Sequence, residues 1–213
     1  MPIVNVEHCK KELEQSLYEV DIFVKEIKTY RKVVSGSYLP LNIRTSEMLI
    51  GLQFLMMHLA WEEFLESVFI RYMCGCGSPS GLAPRLMGSK EKCVKDAMTT
   101  LLGSHNYLSW SPKETLDRAN QYLDSGEPFK STIGSVRNDL DNMNIIRNRF
   151  AHRSAYAIGS FRQLVRRELG YNPRGMTPGR FLLTEKPLTR RKKQTFLKYY
   201  CAILDIASNG IAP

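Results

Sequence analysis

This chain has little of what marks an exported, metal-stapled or membrane-spanning protein. Its five cysteines, Cys9, Cys74, Cys76, Cys93 and Cys201, are odd in number and scattered. They lack the C-x-x-C spacing of a structural zinc site and the even count of a disulfide framework. The one close pair, Cys74-Gly75-Cys76, has no second ligand pair nearby. A reducing compartment, the cytoplasm, is therefore expected, and no metal or other cofactor is. The start Met-Pro-Ile-Val-Asn-Val-Glu shows no basic leader, apolar run or small-residue cleavage site, so nothing there marks export. The most apolar window, residues 48–61, is about 14 residues long and interrupted by Gln53 and His58, short of the roughly 18 needed to cross a bilayer. It reads as a buried helix, with no membrane as partner. Internal repeats and long low-complexity stretches are also missing.

What is present is an ordinary globular composition, 43% hydrophobic and 24% charged over 213 residues. That length suits one domain with a sizeable core. Thirty Lys and Arg against 21 Asp and Glu leave a formal charge of +9, which favours anionic partners such as nucleic acid.

Apolar spacing predicts an all-α protein. From 7 to about 33, Leu13, Leu17, Val20, Val24 and Ile27 recur three or four apart, as on a helix with one buried face. Turn formers and Pro40 then break the pattern, and Thr45 or Ser46 can cap the next helix. That helix, the longest, is predicted over 46–73, with Ile50, Phe54, Met57, Trp61, Phe64, Leu65 and Val68 on one stripe and its first half central to the core. A Gly, Ser and Pro-rich loop spans 75–84. Helices follow near 90–102 and near 113–123, the latter opened by Ser111-Pro112. A further helix begins near residue 132 and carries Val136, Leu140, Met143, Ile146 and Phe150. Beyond it lie a segment over 157–169, a Pro/Gly-rich connection through Tyr171-Asn172-Pro173 and Thr177-Pro178-Gly179, a short extended piece at Phe181-Leu182-Leu183, and a closing helix over about 190–208.

At about 100° per residue, Arg147 falls in the apolar stripe of the helix from 132. A buried guanidinium needs a partner: a core carboxylate, a subunit interface or an anionic ligand. Five residues on stands His152, the only histidine in the C-terminal half, with Asn148 one turn before it and spaced to hydrogen-bond it. An arginine fork for phosphate oxygens and an imidazole that titrates near neutral pH supply charge stabilisation and proton transfer without a metal.

The string Arg147-Asn148-Arg149-Phe150-Ala151-His152 resembles the R-[polar]-x-x-x-H signature of the HEPN superfamily. Ala60-Trp61-Glu62-Glu63-Phe64-Leu65-Glu66 is similar to the aromatic-acidic segment of its first core helix. Thr177-Pro178-Gly179-Arg180-Phe181-Leu182 and Phe196-Leu197-Lys198-Tyr199-Tyr200 resemble segments of prokaryotic HEPN ribonucleases of the phage-defence and toxin type. The resemblance spans 45–211, with 1–40 an N-terminal helical extension. It implies an up-and-down four-helix bundle with additional helices, a homodimer whose two motifs line one cleft, and RNA cleavage by transphosphorylation. The chemistry is consistent with that: one histidine cannot be both base and acid in one step, whereas a two-fold dimer offers two. On this reading Arg147, His152 and Asn148 are catalytic and Glu62 orients Arg147. Arg149, Arg153, Arg166 and Arg167 contact RNA, and Arg162 with the 190–193 block (Arg190, Arg191, Lys192, Lys193) could extend that path. Where toxins paired with an antitoxin often carry tyrosine two places after the histidine, this chain has Ser154, so an antitoxin or other regulatory partner stays unspecified.

Other readings of the same residues stand beside this one. Arg147 could pair with a core carboxylate such as Glu62, and His152 could complement a helix dipole. His58 and Glu62, one turn apart, could form an acid–base couple, or His58 could be a satisfied core histidine. Trp61 reads as packing, while Tyr107 and Trp110 could stack bases. The alternative for the whole chain is a HEPN-fold module that binds RNA or protein without cutting, or a helical adaptor.

Overall fold

The fold is described from a computed structural model, over residues 5–27, 29, 31–34, 37–187 and 194–213. It is all-α with one small hairpin: α1 (Val6–Glu26), β1 (Arg31–Val34), β2 (Ser37–Pro40), α2 (Ile43–Met73), α3 (Val94–Leu102), α4 (Pro112–Tyr122), α5 (Phe129–Ala151), α6 (Ala155–Leu169), α7 (Pro178–Leu183) and α8 (Phe196–Ile211).

Local chemistry accounts for most boundaries. Asn42, rather than Thr45 or Ser46, opens α2: its Oδ1 accepts from the Thr45 backbone N–H at 2.8 Å. Ser111 caps α4 ahead of Pro112 as predicted. Glu91 N–H is bonded to Met73 O at 2.9 Å, which ties residues before Val94 to the end of α2 and starts α3 four residues later than expected. The helix predicted over 7–33 stops at Glu26, and 31–34 pairs antiparallel with 37–40, Val33 opposite Tyr38. β-branched Val33 and Val34 favour that pairing over a further helical turn. Phe181-Leu182-Leu183 is helical, not extended, because Thr177 Oγ1 accepts from Arg180 N–H and Pro178 occupies the first turn. The 190–193 block lies outside the described residues.

The chain falls into two compact units. Unit one comprises Met1–Gln15, Leu59–Asp141 and Ile203–Pro213. Its core joins Phe69 to Phe129, ring centroids 5.1 Å apart, and Tyr72, whose hydroxyl donates to Ile211 O at 2.7 Å. Trp61 is buried packing and stacks on Phe64. Trp110 is buried too, donating from Nε1 to Glu66 at 2.9 Å with the Arg118 guanidinium 4.7 Å over its ring. It therefore has no open face for a base, unlike exposed Tyr107.

Unit two comprises Ser16–His58 and Asn142–Ala202. A run of rings forms its centre: Phe161 edge-on to Phe181, Phe181 stacked on Phe196 at 4.1 Å, and Tyr200 edge-on to Phe54. Asp21 of α1 meets Lys198 of α8 at 2.8 Å. Gly179 lets α7 press on α2, since a Cβ there would stand 1.9 Å from Glu47 O. The first half of α2 is only partly core. Ile50, Phe54 and Met57 are buried, but Met48, Leu52 and Met56 are more than half exposed. By length and apolarity α2 is the one helix among the described residues that could cross a membrane, and 44% of its most apolar window is buried.

Candidate active site

The 142–151 end of α5 is anchored in unit two at two points. Asn144 Oδ1 lies 2.9 Å from Nε2 of buried His58. One and a half turns later, the Phe150 ring fills the space over Gly51 and lies 6.4 Å from that of Phe54. His58 is thus a hydrogen-bonded core histidine of the α2–α5 contact. Arg147 sits midway between these anchors, so its backbone is held in place.

Arg147 is half-buried rather than buried, and Nη1 donates to Asn148 Oδ1 at 3.1 Å. Within its unit, no salt bridge reaches it among the described residues. A guanidinium carries five N–H donors, and one neutral amide oxygen leaves most of them for an anion. Asn148 was expected to bond the His152 side chain; its Oδ1 is turned to Arg147 instead. It meets His152 through the backbone, where Asn148 O accepts from His152 N–H at 2.8 Å. That bond places His152 at the C-terminus of α5. Its imidazole is exposed and makes no hydrogen bond or ion pair among the described residues.

The connection after His152 is short. Ser154 Oγ accepts from Ala157 N–H at 3.2 Å and caps α6, which gives this serine a local structural task. Arg149 Nη1 donates to His152 O at 3.3 Å, a cation at the negative end of the α5 dipole. Of the arginines expected on RNA, Arg153 and Arg166 are exposed. Arg167 is engaged within the protein, with Nη2 donating to Asn142 Oδ1 and Nε 3.7 Å from Glu168. Glu62 belongs to unit one, and the acceptor of Arg147 is Asn148.

Sequence reasoning missed the cluster around Glu168. Its carboxylate accepts from Lys186 Nζ at 2.7 Å and from Asn142 Nδ2 at 3.4 Å. The Lys186 ammonium also lies over Tyr199 and Phe196, 4.4 and 4.9 Å from the ring centroids. The available signal was a rare acid in a basic stretch: residues 142–187 hold eight arginines and one lysine against two glutamates, seven of the nine net positive charges of the chain. A surface so one-signed suits a polyanion. Among the described residues no group of three or more His, Cys, Asp and Glu could hold a metal ion.

Compared with known proteins, the chain matches no family model, no curated protein and no solved structure. It is an all-α protein with an exposed histidine, a half-buried arginine and a strongly basic unit two.

Proposed function

We propose that this chain is a metal-independent endoribonuclease that acts as a homodimer. The observation that carries the reading is the relay at the end of α5: Arg147 donates to Asn148, whose backbone receives the amide of His152, whose ring is open to solvent. His152 of one copy takes the proton of the ribose 2′-hydroxyl as that oxygen attacks phosphorus. His152 of the second copy donates a proton to the departing 5′-oxygen, and Arg147 holds the charge on the five-coordinate phosphate. The products are a 2′,3′-cyclic phosphate and a 5′-hydroxyl, and DNA, without the 2′-hydroxyl, is spared.

Two features support the reading beyond the motif. One is the basic balance of 142–187, which suits a nucleic-acid backbone. The other is the exposed stripe Met48, Leu52 and Met56 on the unit-two half of α2, apolar surface that a second copy would cover. The test is incubation of the full chain with labelled structured RNA in EDTA beside a folded His152→Ala variant. Cleavage by the parent alone, with cyclic-phosphate ends, supports the enzyme. No cleavage of several RNAs by an intact dimer would replace it with a binding module.

A further inference from the structure

A groove of about 440 Å³ lies wholly within unit two, between the last turns of α6 and the loop that follows it. It exists because α6 ends abruptly. Gly170, at φ 81°, takes the left-handed conformation that closes the helix, and its N–H bonds Arg166 O. The chain then folds back through a turn in which Met176 N–H meets Pro173 O at 3.3 Å. Thr177 caps α7 immediately afterwards and pins the loop by donating to Glu47 Oε2 at 2.6 Å. The loop cannot lie flat on α6, and the space between them stays open.

The lining has two parts. The floor is apolar: Phe161 and Val165 are buried, with Met176 half-buried beside them, and the Phe161 ring is held edge-on by Phe181 at 5.9 Å. The rim is polar: Arg162, Arg174 and Asn172 are exposed. Among the described residues neither arginine makes a salt bridge, in contrast to Arg167, which is held by Asn142 and Glu168. An apolar floor with two guanidinium groups and one amide at its edge is complementary to a base that carries a phosphate. The volume falls within the usual range for small-ligand sites, roughly 300–1,000 Å³.

We propose that this groove is a nucleotide subsite: the base lies on the Phe161–Val165 floor, Asn172 meets its edge, and Arg162 and Arg174 bracket the phosphate. This rests on the ribonuclease reading for its source, a nucleotide of the RNA strand flanking the cut. Arg162 stands about 12 Å along α6 from Ser154, which follows His152 by two residues. That is the length of three to four stacked nucleotides, so one strand can reach both places.

The test uses the full chain and a fluorescent 2′-O-methyl oligonucleotide, which cannot be cleaved by 2′-attack. Arg162→Glu and Arg174→Glu should each weaken binding at least tenfold without changing the melting temperature. Lys113→Glu, the same charge change at an exposed position of α4, should weaken it less than threefold. A 4-thiouridine in the oligonucleotide should photo-crosslink within 161–176. Competition with AMP and with inorganic phosphate separates the sources. Displacement by AMP in the micromolar range, lost in Arg174→Glu, would make a free nucleotide the occupant. Displacement only by RNA keeps the substrate strand. The subsite is overturned if the two arginine variants lose no more than Lys113→Glu, if crosslinks fall outside 161–176, or if neither RNA nor AMP binds. Cleavage by Arg174→Glu with unchanged KM would remove the subsite and leave the ribonuclease. Binding at the groove by a parent that never cleaves would do the reverse.

Discussion

Arg147 Nη1 donates to the side-chain oxygen of its own neighbour Asn148 at 3.1 Å, and the backbone oxygen of that same asparagine receives the amide of His152. One residue thus orients the cation and fixes the start of the turn that presents the imidazole. If Arg147 stabilises a developing charge, Arg147→Ala should lower kcat by about 10²–10³-fold. Asn148→Ala, which acts through Arg147, should cost about tenfold, less than the loss of a direct donor. Both should melt near the parent, because neither side chain is buried. A collapse in stability equal to the loss of activity would make the pair structural.

Dimerisation should depend on the exposed apolar stripe of α2. Leu52 is 51% exposed and is not part of the buried core, so Leu52→Glu should leave the helix content intact. Light scattering should then report a monomer, and cleavage should fall to background because a monomer has a single His152. A dimer that survives Leu52→Glu with full activity places the interface elsewhere.

Two glycines mark close approaches where a methyl group does not fit. At Gly179 a Cβ would meet the backbone of Glu47 at 1.9 Å. Backbone cannot rotate away, so Gly179→Ala should destabilise by about 3 kcal/mol. At Gly51 the obstacle is the Phe150 ring at 2.0 Å. Ring displacement costs about 1–3 kcal/mol, partly offset by the better helix propensity of alanine, about 1 kcal/mol. Denaturant melts should therefore rank Gly179→Ala below Gly51→Ala. Only Gly51→Ala should also impair cleavage out of proportion, since Phe150 anchors the helix end that carries Arg147.

The Glu168–Lys186 pair, each side chain 15% exposed, should matter far more than Glu7–Lys11, which is 46% and 68% exposed. Glu168→Gln leaves Lys186 poorly solvated and opposite a neutral amide. Unfolding free energy should drop by about 2–3 kcal/mol, whereas Glu7→Gln should leave it unchanged within error. Equal effects would mean that water reaches Lys186 freely.

Alkaline pH should unfold this protein early. Burial pushes the Cys201 thiol from 9.0 up to about 12, and burial raises the Tyr72 phenol above its usual 10.0. Both groups are neutral when protonated, so the folded state holds their protons more tightly than the unfolded one. The stability this provides is complete below pH 9 and is lost as pH rises through the folded values. Each group then costs about 1.4 kcal/mol per pH unit within its window. Melting temperature should be flat from pH 7 to 8.5 and fall steeply above 9, less steeply in Cys201→Ala. At neutral pH the exposed Cys93 should react fast with a thiol reagent, while Cys9 and Cys74, buried and with thiols pushed upward by burial, stay slow.

Much of this architecture was legible because its causes are local. The apolar stripes of α2 and α5 and the Ser111-Pro112 start of α4 are written within a few consecutive residues. The misreadings had local causes too. Thr177-Pro178-Gly179 has the composition of a connection yet starts α7, and the helical spacing that runs to about residue 33 gives way to a hairpin strand at Val33-Val34. The spacing of Arg147 and His152 singled out one end of α5, but whether that arginine is buried, and what Asn148 holds, depends on how far packing closes over the helix.

By itself, then, the amino-acid order determined an all-α chain, a basic C-terminal half and an arginine–histidine motif at a helix end, because helix periodicity, capping and charge act over a few residues. Only the tertiary structure decided the partners that lie far apart in the chain: His58 with Asn144 across 86 positions, Arg167 with Asn142 across 25, and the loop that folds over Phe161 and Val165 to leave a groove. Those depend on which faces meet when apolar surface leaves water, and no short stretch of sequence specifies both sides of such a contact.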